Sequence, residues 1–182
     1  MVAFWRKGYG DTSLDDLVAA TGASRASLYS LFGDKRSLFQ KSLEHYGARF
    51  TERIDEELQS PVSGRARMAT VLNASADRLT SDEAPPGCLR CNSTLALAGS
   101  DETLDQVLAE ANQLFLDNLR RLTDRAAENG ELSPDEAVRL AVFFTGIVNG
   151  MVTLARSGVG REQLAVMIET ALLAWPQGKG DK

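Results

Sequence analysis

Residues 13–32, SLDDLVAATGASRASLYSLF, start a helix, break it at a glycine and restart it three residues later. Thr12 and Ser13 are both good N-caps, and Asp15 and Asp16 put negative charge where the helix dipole favours it. Gly22 can take the left-handed conformation that ends a helix, and Ser24 caps the next one at once. A turn this short sets two helices of about eight residues at a steep angle. Leu14, Leu17 and Val18 share one face of the first, and Leu28, Leu31 and Phe32 share one of the second. Those faces are predicted to pack on each other and on Phe4, Trp5 and Leu38.

The rest of the chain is also helical in pattern. Alternation with β-branched residues is sustained nowhere, while helical spacing recurs throughout. A first helix ends at Gly8. Its apolar residues, Val2, Phe4 and Trp5, crowd the start of the chain, so the full protein is expected to carry residues before Met1. A long helix runs from Lys35 to about Leu58, and others cover about 65–79, 88–97 and 101–128, the last capped by Ser100. Ser133, Pro134 and Glu136 form a capping-box start to a helix reaching Ser157. A final helix runs from Arg161 to about Trp175. The fold class is therefore all-α: a three-helix head over 1–46, a long connecting helix, a helical body over 47–176, and a disordered tail over 177–182.

Net charge is −5, yet residues 1–46 hold six Lys/Arg against five Asp/Glu, and the remainder carries the acidic excess. This asymmetry permits a nucleic-acid-binding head on an acidic body. The opening lacks a signal-peptide pattern, and no apolar run in the sequence reaches the roughly 18 to 20 residues of a membrane span. With only two cysteines there is no disulfide framework, so a cytoplasmic protein without a membrane partner is expected.

If the second helix of the 13–32 unit packs on Leu28, its outer face carries Arg25, Ala26, Ser27 and Ser30, with Tyr29 beside them. Small residues allow close approach to a major groove, arginine can pair bidentately with guanine, and alanine can meet a thymine methyl. The helix starts at Thr12/Ser13 and at Lys35 can receive phosphates. Periodicity alone fits a plain helical hairpin equally well.

The stretch from Phe4 to Leu38 resembles the DNA-binding domain of the TetR family of bacterial regulators. The pattern is F-x-x-x-G-[YF]-x-x-T-[ST], then G-[VA]-S, L-Y-x-x-F and K-x-x-L. It is met by Phe4, Gly8, Tyr9, Thr12, Ser13, Gly22, Ala23, Ser24, Leu28, Tyr29, Phe32, Lys35 and Leu38. The resemblance implies that Thr12, Tyr29 and Lys35 hold phosphates while Arg25, Ala26, Ser27 and Ser30 face bases. It also implies a homodimer on a palindromic operator and an all-helical body that binds a small-molecule inducer.

In the body, residues 140–152 are apolar nearly all round, as in a helix buried on every side. A partner subunit or a deep monomer core would serve as cover. The dimer reading uses Gly146, Ile147, Gly150 and Met151 with Leu164, Met167, Ile168, Leu172 and Trp175 in a four-helix interface. An inducer pocket would draw on Met68, Leu72, Phe115, Phe143 and Phe144, with Asn92 or Asn112 as polar anchors and Cys88 at its edge.

Cys88 and Cys91 form a CxxC pair open to three readings: metal, a redox or electrophile sensor with Arg90 nearby, or inert burial. Only His45 remains as a further soft ligand, so no metal or cofactor is expected. No nucleophile elbow, phosphate loop or metal-ligand helix is present, and an enzyme is not expected. Two rivals stand beside an inducible repressor: a DNA-bound scaffold that recruits a protein, and a thiol sensor.

Overall fold

The computed structural model describes residues 1–176; the expected tail over 177–182 lies outside them. Among the described residues the chain forms α1 (Val2–Asp11), α2 (Leu14–Thr21), α3 (Arg25–Phe32), α4 (Lys35–Gln59), α5 (Gly64–Leu79), α6 (Leu89–Leu97), α7 (Glu102–Glu128), α8 (Pro134–Arg156) and α9 (Arg161–Ala171). No strand occurs among them. A 3₁₀ turn, Leu172–Ala174, follows α9, so the last α-helix stops short of Trp175.

Local chemistry sets most boundaries. Ser13 and Ser133 both make capping boxes, with Asp16 and Glu136 answering from the third position. Gly22 closes α2 at φ 68°, and Gly8 kinks α1 at φ 80°, conformations that cost a residue with a Cβ. The α7 cap is Asp101 rather than Ser100. Its carboxylate accepts the Leu104 N–H at 3.0 Å and pairs with Arg36 of α4 at 3.2 Å.

Two apolar clusters hold the molecule together. The larger lies in the body, with Ile54, Met68, Leu72, Leu119, Leu122, Phe144, Met151, Leu164 and Trp175 among its buried residues. The smaller joins Phe4, Trp5, Leu17, Leu28, Phe39 and Leu43 of α1–α4 to Leu89, Leu104, Val107 and Leu108 of α6 and α7. The head therefore shares its core with the body. Leu31 departs from the expected packing and is 73% exposed. On a short helix whose inward direction is fixed by Leu28, residue 32 stays within about 40° of that direction and residue 31 swings about 60° away.

α8 packs on α5, α7 and α9 along one side. By length and composition alone it could cross a membrane, contrary to the absence of such a run read from the sequence. Its other side is apolar and exposed at Val138, Val142, Phe143 and Leu154.

Candidate functional site

The first candidate surface is the outer face of α3. The Ser24 hydroxyl accepts the Ser27 N–H at 3.1 Å and fixes where the helix starts. Leu28 anchors the inner side, leaving Arg25, Ala26, Ser27, Tyr29 and Ser30 exposed together, with Leu31 added to them. The Arg25 guanidinium donates to the Asp15 carboxylate of α2, across the turn. Both partners are largely solvent-exposed, so the pair contributes at most about 1 kcal/mol and yields readily to a competing acceptor.

The expected phosphate contacts fare differently. Thr12 is fully buried and donates its hydroxyl to Gly8 O at 2.5 Å. The kink at Gly8 leaves that carbonyl without its helical partner, and the hydroxyl fills the gap. Ser13 is exposed, but Asp16 accepts both its N–H and its hydroxyl, each at 2.8 Å. Lys7 reaches the same carboxylate at 2.6 Å. The start of α2 thus already holds an anion of its own, and Thr12, expected beside Ser13 as a phosphate contact, has its side chain turned inward. Lys35 Nζ lies 4.6 Å from the centre of the Tyr9 ring and donates to Gly10 O at 3.2 Å, half-buried.

The second candidate is a cavity of about 760 Å³ between head and body. Trp5 of α1 walls it, with Tyr46 and Phe50 of α4, Arg78 of α5, Cys88 and Arg90 at the start of α6, Leu114, Phe115 and Asn118 of α7, and Val148 and Val152 of α8. Of the expected pocket residues, only Cys88 and Phe115 line it. Met68, Leu72 and Phe144 are wholly buried in the body core, where neighbouring helices cover them. Phe143 is 40% exposed on the outer side of α8. Asn92 donates to Pro86 O, and Asn112 stands behind the wall, accepting from Arg90 and donating to Thr94 at 3.0 Å. Tyr46, Phe50, Arg78 and Arg90 were missed as wall residues. Only Arg90 carried a local signal, its place inside the CxxC pair.

The Tyr46 hydroxyl donates to Cys88 Sγ at 3.3 Å, and Cys91 Sγ lies 3.3 Å from Asn149 Oδ1. A hydrogen bond from Cys91, the charge of Arg90 and the Tyr46 donor hold the Cys88 thiol well below its ordinary range despite burial. Cys91 is pushed up by the same hydrogen bond and by burial. Burial and the facing Cys88 push the Tyr46 phenol up, so it stays a donor.

The third surface is apolar. Val138, Val142, Phe143, Gly146 and Leu154 of α8 are exposed together with Val166 of α9. Of the residues expected in a dimer interface, Met151, Leu164, Ile168, Leu172 and Trp175 are instead buried inside the chain's own core. Met151 points inward along α8, while Leu164 and Ile168 of α9, and Leu172 and Trp175 just after it, close the same core. Ile147, Gly150 and Met167 are half-buried. A Cβ on Gly150 would meet Met167 at 3.1 Å, whereas one on Gly146 would meet nothing. The two glycines thus do different things: the first lets α8 and α9 approach within the chain, and the second leaves open space outside it.

Comparison with known proteins bears on the whole chain. Residues 1–41 match the family "Bacterial regulatory proteins, tetR family", and residues 64–170 match the tetracyclin repressor-like C-terminal domain. The HTH-type transcriptional repressor ComR of Escherichia coli (strain K12) is 32% identical over 179 residues, 97% of this chain and 85% of its own length. The uncharacterized HTH-type transcriptional regulator YezE of Bacillus subtilis (strain 168) is 27% identical over 133 residues, 73% of this chain and 69% of its own. Among solved structures, a cysteine mutant of the regulator CifR complexed with 26bp double-strand operator DNA superposes with TM-score 0.83. It is 32% identical and covers 96% of this chain and 92% of that one. The reduced form of Escherichia coli NemR shares the fold, at TM-score 0.80 and 18% identity, covering 92% and 88%.

Proposed function

Because this chain belongs to the TetR family of DNA-binding transcriptional regulators, we propose that it is a homodimeric repressor released from a palindromic operator when a small molecule enters the cavity beneath its head. Residues 1–46 form the reading head and 47–176 the body in this proposal. Arg25, Ala26, Ser27 and Ser30 face the bases, joined by Leu31, while Tyr29 and Lys35 hold phosphates. CifR, whose structure includes operator DNA, supports a DNA-binding role for the head.

The observation that carries the inducer reading is the composition of the cavity wall. Trp5 and Tyr46 belong to the head and the connecting helix, and Arg78, Arg90 and Phe115 belong to the body. A ligand touching both biases how they sit against each other. Its differential affinity for two such arrangements is what shifts the population. Heads moved off half-sites one helical turn apart, roughly 34–36 Å, lose the operator. A protein-recruiting scaffold has no use for such a space.

The face of Val138, Val142, Phe143 and Gly146 is the proposed dimer contact. A patch of this kind on a soluble chain marks an interaction site. Salt-dependent binding to a palindrome tests the reading, with a cavity compound abolishing it. Binding that ignores sequence, or a protein that stays monomeric on DNA, overturns it.

The geometry at Cys88 favours a second reading. An ionised Cys88 on the cavity wall can add to the β-carbon of an unsaturated carbonyl compound, forming a C–S bond while solvent protonates the α-carbon. Such an adduct would occupy the cavity permanently. Mass spectrometry after exposure to N-ethylmaleimide, with operator binding read in parallel, tests it. Release that persists in Cys88→Ser rejects it.

A further inference from the structure

We propose that the cavity is a binding site for a small organic carboxylate, gripped by the guanidinium groups of Arg90 and Arg78 and reaching Trp5 of the head. The proposal rests on the inducer reading and names the chemistry of its ligand.

Arg90 is only 5% exposed. Its hydrogen bonds go to neutral acceptors, Asn112 Oδ1 and Asn149 Oδ1, the latter at 2.8 Å, and its guanidinium lies 4.2 Å from the centre of the Phe115 ring. Arg78 donates to Gly87 O at 3.1 Å and stands 5.6 Å from the Trp5 ring and 6.0 Å from the Tyr46 ring. Neither is paired with a carboxylate among the described residues, although eight other cations are. A buried cation calls for a counter-charge. Cys88, when ionised, supplies one negative charge for two guanidiniums.

The acidic residues around the cavity do not meet this need. Glu44, Asp77, Glu83 and Glu110 are all exposed, and the first two are paired with Lys41 and Arg161. Arg49 and Arg53 join them at the exposed margin. Buried Arg90 and half-buried Arg78 are therefore left without an acidic side chain of their own, with only the Cys88 thiol beside them. Trp5 walls the cavity from the head, and its Nε1–H is buried without an acceptor. Against Arg90, the Phe115 ring stacks on Phe50 at 4.7 Å, with Leu114 and Val148 also on the wall. A carboxylate is a stronger acceptor for guanidinium groups than the neutral oxygens they now hold, and an apolar body covers the stacked rings.

The test uses the full-length protein and pairs of acids with their primary amides: hexanoate, octanoate, benzoate and 3-phenylpropionate against the corresponding amides. Calorimetry reads binding and tryptophan fluorescence reads Trp5. The expected result is a saturable acid whose Kd lies about tenfold or more below that of its amide. Arg78→Gln and Arg90→Gln should each erase that preference, and Trp5→Phe should remove most of the fluorescence response. Arg78 is half-exposed, so its variant keeps the test valid if the Arg90 variant fails to fold. Acids and amides binding alike, no saturable acid in the panel, or an unchanged preference in Arg78→Gln overturns the proposal. Operator binding separates the two ideas. An acid that binds without releasing DNA sinks only the inducer reading, and a neutral compound that releases DNA with no acid bound sinks only this one.

Discussion

Arg25 is held by Asp15 in the absence of DNA, and both side chains face solvent. A bidentate arginine–guanine contact is worth about 1–3 kcal/mol of discrimination, more than the exposed ion pair it replaces. Arg25→Ala should therefore weaken operator binding by about 10- to 100-fold and barely change binding to a scrambled duplex, as fluorescence anisotropy on the two sequences reads. Cys88 gives a second residue-level prediction. Its thiol is ionised at lower pH than an ordinary cysteine, near 8.5 in an unstructured chain. Alkylation of Cys88 by iodoacetamide should level off below pH 8.5, while Cys91 still accelerates there. Tyr46→Phe removes a donor to the thiolate and should move the Cys88 plateau to higher pH. An identical profile in that variant would deny Tyr46 any part in ionising the thiol.

At the scale of the element, α2 is started by Ser13, Asp16 and Lys7 acting together. The Lys7 ammonium and the Ser13 N–H and hydroxyl hold the Asp16 carboxyl well below its usual range. A carboxylate favoured in the folded state stabilises the head above the unfolded value near 4, and that contribution is lost as pH falls through the folded one. Asp16→Asn should melt lower than the parent at pH 7, with the difference shrinking toward pH 2. Ser13→Ala should lose about 1 kcal/mol.

Such caps were readable in the sequence because every partner lies within three or four residues: Ser13 with Asp16, Ser24 with Ser27, Ser133 with Glu136. The facing of α8 was not. With apolar residues on all sides, its periodicity has no preferred direction. Only α5, α7 and α9, brought in by the fold, decide that Met151 points inward and Phe143 outward. The cavity was illegible for the same reason, since its walls come from six helices spread between Trp5 and Val152. Which residues of α3 face outward was legible except for Leu31, whose side was settled by small angular offsets on an eight-residue helix.

For the whole molecule, the proposed dimer engages DNA with two heads at once, and the outer face of α8 is its proposed joint. Val142→Glu puts a charge on that face without touching the core. It should shift the protein from dimer to monomer in light scattering while leaving its helical circular dichroism intact. Operator affinity should fall by about 10²-fold or more as the avidity of two linked heads is lost. A dimer that survives would place the joint elsewhere.

The smaller core, in which Leu89, Leu104, Val107 and Leu108 of the body close over Phe4, Trp5 and Phe39 of the head, bears on how such regulators can be rebuilt. A chimera that transplants residues 1–46 onto a foreign body would arrive without its seat, and its exposed Phe4 and Phe39 would be free to settle in a new orientation. The exchangeable unit is the head together with the starts of α6 and α7, two segments far apart in the gene. Operator preference is consequently harder to swap by a single crossover than the neat N-terminal motif suggests.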